Sequence, residues 1–184
     1  MNRLASPAQL RASLLRWSLF VVPAVMLLGF LSGQLGGSGA ENPWFMELEK
    51  PAIYPPPATF GIVRTVLYFM MGVALAMVCA AWGARWRGPA IAVFTVQLLL
   101  NLSWSPVFFA LHNIVAAMAI IVALAVALAV TMWLFFKIRR AAGWLLVPYL
   151  GWVLFAGVLN LEFLQLNPGA EYMRYGESAQ RIEF

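Results

Sequence analysis

Residues 113–136 read NIVAAMAIIVALAVALAVTMWLFF, without one charged side chain. A helix on the surface of a water-soluble protein keeps a polar face, and a membrane β-strand alternates apolar and polar residues over about ten positions. This stretch does neither, being apolar on every face, and it exceeds the roughly 20 residues needed to cross a hydrocarbon core of about 30 Å. The span itself is residues 114–136, and comparable runs lie at residues 17–35, 60–82, 90–111 and 143–166. The chain therefore reads as an all-α membrane protein, a five-transmembrane-helix bundle over residues 17–166, with an N-terminal tail (1–16) and a C-terminal tail (167–184).

Composition supports this reading: of 184 residues, 63% are apolar and 10% charged, too little polar surface to cover a soluble globule of this size. The first run is long and lacks a small-x-small cleavage pattern before ENPWF, so it is expected to be a retained helix. Cys79 is the only cysteine and His112 the only histidine. Far apart, they make neither a disulfide nor a metal site.

Charge sets an orientation. The N-terminal tail and the second and fourth connections carry Arg3, Arg11, Arg16, Arg85, Arg87, Lys137, Arg139 and Arg140 and no acid, whereas all 7 acids fall on the other side. By the positive-inside rule the N-terminus is expected in the cytoplasm, with a bacterial inner membrane as the setting. The net charge of +5 flanks the spans instead of forming a patch with interleaved aromatics, so nucleic acid is not an expected partner.

The first connection, GGSGAENPWFMELEKPAIYPPP (36–57), then faces outward and exceeds the two to eight residues a simple helix link takes. It is expected to act as a lid built on Trp44, Pro51, Tyr54, Pro55 and Pro56. Prolines fix φ and remove amide donors, so KPAIYPPP should run extended and deliver Pro57 to the first turn of the next helix.

Two helical stripes carry polar or aromatic groups at membrane depth. In FTVQLLLNLSWSPVFF (94–109), Gln97, Asn101 and Trp104 recur four and three residues apart; in PYLGWVLFAGVLNLEF (148–163), Tyr149, Trp152, Ala156 and Asn160 do the same. Such groups normally face the bundle interior, either as interhelical hydrogen bonds or as ligand contacts. Aromatics, a few amides and small Ala156 suit a flat apolar ligand. Trp17, Trp82, Trp86 and Trp144 read as interfacial belts, and Gly29 with Gly33 and Ala119 with Ala123 and Ala127 as packing surfaces or a homodimer contact. No catalytic constellation emerges, and the spans hold too few ionisable groups for an ion pathway.

Taken together and in order, KP with PP before the second helix, Leu67–Tyr68, QLLLNLSWSPVFF from Gln97, Thr131 before WLFF, and PYLGWVLFAGVLN from Pro148 resemble the translocator protein family. Its members are also called tryptophan-rich sensory proteins or peripheral benzodiazepine receptors. The likeness covers residues 29–167. It implies a pocket open toward the first connection that binds porphyrin or haem, sterols in some members and synthetic aromatic drugs, without a tightly bound cofactor. Asn101, Trp152 and Ala156 are implied to line it, with Tyr68 beside them, and dimers are common in the family.

Departures from the pattern are informative. Relatives often show KPxWxPPxWxF where this chain has KPAIYPPPATF, and Arg64 stands where a pocket tryptophan is usual. Trp44 is the one tryptophan left in the lid. The resemblance thus implies a binder, acting as sensor or carrier, ahead of a porphyrin-degrading enzyme or a transporter. Arg64 is expected to change ligand choice, pairing with a ligand carboxylate, pairing with Glu162, or snorkelling to the interface. Leu166, Tyr172 and Arg174 also fit a loose sterol-contact pattern.

Overall fold

The computed structural model describes residues 7–37, 39 and 41–170. Helix α1 spans Pro7–Leu35, a short α2 Pro43–Glu47, α3 Pro57–Cys79, α4 Arg87–Ser105, α5 Ile114–Ile138 and α6 Arg140–Leu166. A π-helical turn, Pro106–Ala110, continues α4. No strand occurs among the described residues. Five of the helices, α4 together with its π turn among them, are long and apolar enough to cross a membrane. The all-α, five-span architecture is as the sequence predicts. Beyond the apolar run, α1 continues toward the N-terminus, so residues 7–16, read as tail, are helical.

The long helices neighbour one another in the ring order α1, α3, α6, α5, α4, and α4 closes back on α1. Apolar burial holds the middle of the ring: Met71, Ala74, Phe94, Leu128, Phe135 and Leu146 are fully buried, with Phe94 and Phe135 stacked at 5.9 Å. Leu19, Phe20, Val122, Val126 and Leu154 stay exposed, the outer faces that a lipid solvent accepts. On α5, Ala119 and Ala123 lie on this outward side. Helices α1 and α3 approach closely, where a Cβ on Gly72 would stand 2.8 Å from the Val22 Cα. Between α1 and α4, the Ser32 hydroxyl donates to the Leu102 carbonyl at 2.6 Å.

The two ends of the ring differ. One collects the start of α1, the α3–α4 turn and the α5–α6 turn. There Arg87 donates from Nε to the Cys79 carbonyl at 3.0 Å and lies 4.3 Å over the Trp82 ring, while Arg85 and Lys137 cover Trp86 and Trp133. The other end carries α2, the prolines and the π turn. Pro56 is extended and Pro57 opens α3, as the proline run dictates. The sterol-contact pattern extends past Ala170 and lies outside the described residues.

Because Gly72 sits against backbone, Gly72→Leu forces α1 and α3 apart and should cost about 1–3 kcal/mol. Gly151→Ala, where an added Cβ meets nothing within 4 Å, should change stability by less than about 0.5 kcal/mol. Thermal unfolding of the detergent-solubilised protein measures both.

Candidate ligand-binding site

The lid folds down because its own residues replace helix contacts. Asn42 caps α2, its Oδ1 accepting from the Phe45 amide at 3.0 Å, while its Nδ2 donates to the Gly37 carbonyl at 3.1 Å. At the other end of α2, the Lys50 ammonium donates to the carbonyls of Phe45, Met46 and Leu48 and lies 4.6 Å over the Phe45 ring. Partial burial lowers the Lys50 pKa and raises that of the Tyr54 phenol. The lysine of the KP pair is thus the C-terminal clasp of the lid helix.

Trp44 and Phe45 fill the mouth of the bundle. Trp44 is 1% exposed, stacks 4.6 Å from His112 and donates its indole N–H to the Ala170 carbonyl at 3.1 Å. His112 adopts φ 54°, a left-handed turn between the π turn and α5 that sets its ring against Trp44. Phe45 packs against Tyr54, Phe108, Phe109 and Phe163. A two-bond bracket ties the lid to the end of α6: the Glu49 amide donates to Asn167 Oδ1 at 2.7 Å, and Asn167 Nδ2 donates to the Glu49 carbonyl at 3.0 Å. Of the prolines, Pro51 is buried, Pro55 half-buried and Pro56 exposed.

Beneath the lid is a hollow of about 320 Å³, lined by Phe45, Tyr54, Phe60, Arg64, Trp104, Phe108, Phe109, Ala156, Leu159, Asn160 and Phe163, among others. A smaller one of about 90 Å³ continues deeper between Arg64, Tyr68, Asn101, Trp104, Tyr149, Trp152 and Ala156. Arg64, Trp104 and Ala156 line both. The pair therefore forms a two-storey site with an aromatic upper room and a polar floor.

At the floor, the Tyr68 hydroxyl donates to Asn101 Oδ1, and Asn101 Nδ2 donates to the Tyr149 hydroxyl. Tyr68 reaches this position because Gly29 faces it: a Cβ on Gly29 would overlap the Tyr68 ring at 2.3 Å. The Arg64 guanidinium donates to the Gly29 carbonyl at 3.0 Å and lies 5.5 Å from the Tyr68 ring centre. It makes no ion pair with Glu162 or any other acid among the described residues, so of the three alternatives for Arg64 the Glu162 pair is not formed. Two buried polar atoms of the lining lack partners, the Trp104 Nε1 donor and the Asn160 Oδ1 acceptor. Unpaired buried groups are costly, and these two atoms are sealed from solvent, so a ligand bonds them only if the lining side chains shift.

The expected binding residues thus separate. Arg64, Tyr68, Asn101, Trp104, Tyr149, Trp152 and Ala156 converge on the two hollows. Gln97 lines neither; it is fully buried, with Nε2 at 3.8 Å from the Met71 sulfur and Oε1 unpaired. Of the lid set, Tyr54 reaches the upper hollow, whereas Trp44 and the prolines brace it from outside. Sequence reasoning missed the phenylalanines Phe60, Phe108, Phe109 and Phe163. The only trace of Phe108 and Phe109 was the proline in SPVFF, which turns α4 into a π segment and swings both rings inward.

Comparison with known proteins places the sequence in a family. The model of the TspO/MBR family matches residues 20–166. The tryptophan-rich protein TspO of Chlorobaculum tepidum is 41% identical over 68% of this chain and 80% of its own length. The tryptophan-rich sensory protein of Cereibacter sphaeroides is 39% identical over 67% of this chain and 77% of its own. The human translocator protein is 30% identical over 77% and 85%.

Asn167→Ala removes both halves of the bracket and should lower stability by about 1–3 kcal/mol, through two hydrogen bonds each worth about 0.5–1.5 kcal/mol. Hydrogen exchange should show faster loss of protection across residues 44–50 than in the middle of α5.

Proposed function

Because the chain belongs to the TspO/MBR family, we propose that it is a membrane receptor for a tetrapyrrole or a similar flat, apolar, carboxylate-bearing molecule. It captures the ligand reversibly in the two-storey hollow and acts as a sensor or carrier. The observation that carries this reading is the Arg64 guanidinium, which borders both rooms, donates to a neutral carbonyl, lies over the Tyr68 ring and has no carboxylate partner among the described residues. A carboxylate presents two charged acceptors in the forked geometry a guanidinium matches, where the carbonyl supplies one neutral acceptor. Around it, Phe60, Trp104, Phe108 and Phe109 line the hollow with aromatic surface that suits a flat ligand.

The basic end, with Arg85, Arg87, Lys137, Arg139 and Arg140, belongs on the cytoplasmic face by the positive-inside rule, which turns the lid outward from an inner membrane. A homodimer through an outer helix face is compatible with this arrangement. The indoles of Trp104 and Trp152 beside the hollow favour one second reading, light-driven breakdown of a bound porphyrin.

Titrating the purified protein with protoporphyrin IX and with its dimethyl ester tests the reading. Tryptophan quenching should saturate for both. Arg64→Gln should weaken the free acid by about tenfold to a hundredfold, the 1.5–3 kcal/mol of a bond to a charged group. Ester binding should change less than about threefold. A stable porphyrin spectrum under illumination marks the receptor, and bleaching that depends on Trp104 marks the enzyme. Equal loss for acid and ester would remove Arg64 from ligand recognition.

A further inference from the structure

A third hollow lies between α1 and α3, on the outside of the ring. It is a groove of about 440 Å³ whose walls include Leu27 and Phe30 on α1 and Gly61 and Thr65 on α3. Leu27 and Phe30 are 57% and 63% exposed, so the groove opens sideways toward lipid and not toward the lid. Arg64 lines this groove as well as both inner rooms, and Gly61 lines the groove and the upper room. Tyr68 lines the groove and the lower room, so Arg64 and Tyr68 together stand between the bilayer and the interior of the bundle, and Arg64 alone of the two also borders the upper room.

The Arg64 side chain is held by one carbonyl and by the Tyr68 ring 5.5 Å away, with no carboxylate partner among the described residues. Arg64 donates to the Gly29 carbonyl on the facing wall of the groove, a bond between a cation and a neutral acceptor. Beside it Gly61 leaves free space, since a Cβ there would meet nothing within 4 Å. A carboxylate arriving along the groove presents two charged acceptors in the fork geometry a guanidinium matches, and displaces the single carbonyl. The lid offers no comparable weak point. Its closure combines the Asn167 bracket, the Trp44 bond to Ala170 and the Lys50 clasp.

We propose that the α1–α3 groove is the ligand's entrance from the bilayer, with Arg64 as its latch and as the first station for the ligand's carboxylate. The proposal rests on the ligand-binding reading above. It assigns entry to a lipid-dissolved amphiphile that travels carboxylate first, and it gives the lid the role of a fixed roof. Thr65, exposed and bordering only the groove, controls passage without touching the bound ligand.

Stopped-flow quenching with protoporphyrin IX, on protein in lipid nanodiscs, tests the route. Thr65→Phe fills the groove and should slow association and dissociation by the same factor, about tenfold, leaving Kd unchanged, because a barrier placed on the path alters both directions equally. Phe30→Ala widens the groove and should speed both rates, which keeps the test decisive if Thr65→Phe folds poorly. Asn167→Ala, which loosens the lid, should leave the rates within about twofold. Unchanged rates in the groove variants with acceleration in Asn167→Ala would overturn the entrance and put entry under the lid. Failure of the unmodified protein to bind saturably is a different result, overturning the binding reading and the entrance with it.

Discussion

Across the α1–α3 contact the Arg64 guanidinium reaches the Gly29 carbonyl at 3.0 Å, and the lid half of the bundle is arranged around the cost of that charge. A cation inside an apolar span is costly by about 2.5–3.5 kcal/mol on insertion scales unless it finds acceptors or water. Here it finds one carbonyl and the face of Tyr68. Both depend on Gly29 lacking a side chain, since a Cβ would occupy the place of the Tyr68 ring. Tyr68 in turn orients Asn101, and Asn101 orients Tyr149. A single small residue on α1 thereby sets the polar floor contributed by three other helices.

The roof obeys a different constraint. Non-helical backbone at the end of a membrane bundle must find partners for its amides and carbonyls, or water must supply them. In this lid the proline run lowers the number of amides to be satisfied, and side chains serve several of the rest: Asn42, Lys50 and Asn167 bond backbone groups of α2 and its flanks. With those groups paired, Trp44 and Phe45 can be driven into the mouth by apolar burial, closing the upper room against the phenylalanines of the π turn.

How much of this was legible varies with the kind of information each feature needs. The five spans follow from apolar runs such as that of residues 113–136, whose burial pattern needs no knowledge of neighbours. Periodicity correctly put Gln97, Asn101 and Trp104 on one face of α4. It gives azimuth and not depth, and over seven residues, about 10 Å of rise, that stripe passes from the packed core at Gln97 through the floor at Asn101 to the upper room at Trp104. The phenylalanines carried no signal, because in an apolar helix a phenylalanine facing lipid and one facing a hollow look alike. The helix α2 is only five residues long and stands on its cap, its clasp and its tertiary contacts, none of which a hydropathy pattern displays.

The state of the floor constrains what the site can recognise. Asn101 already spends its oxygen on Tyr68 and its nitrogen on Tyr149, so a ligand that bonds this amide must break an existing contact and gains little on balance. Trp104 Nε1 and Asn160 Oδ1 have no such debt but are sealed from solvent, whereas Arg64 exchanges a neutral acceptor for a charged one. For the proposed ligand, discrimination therefore falls to the upper room, where Arg64 stands among phenyl rings. On the proposed reading the floor fixes the shape of the pocket, and the chemistry of choice is exercised at Arg64, one helical turn after Phe60 and on the boundary with lipid.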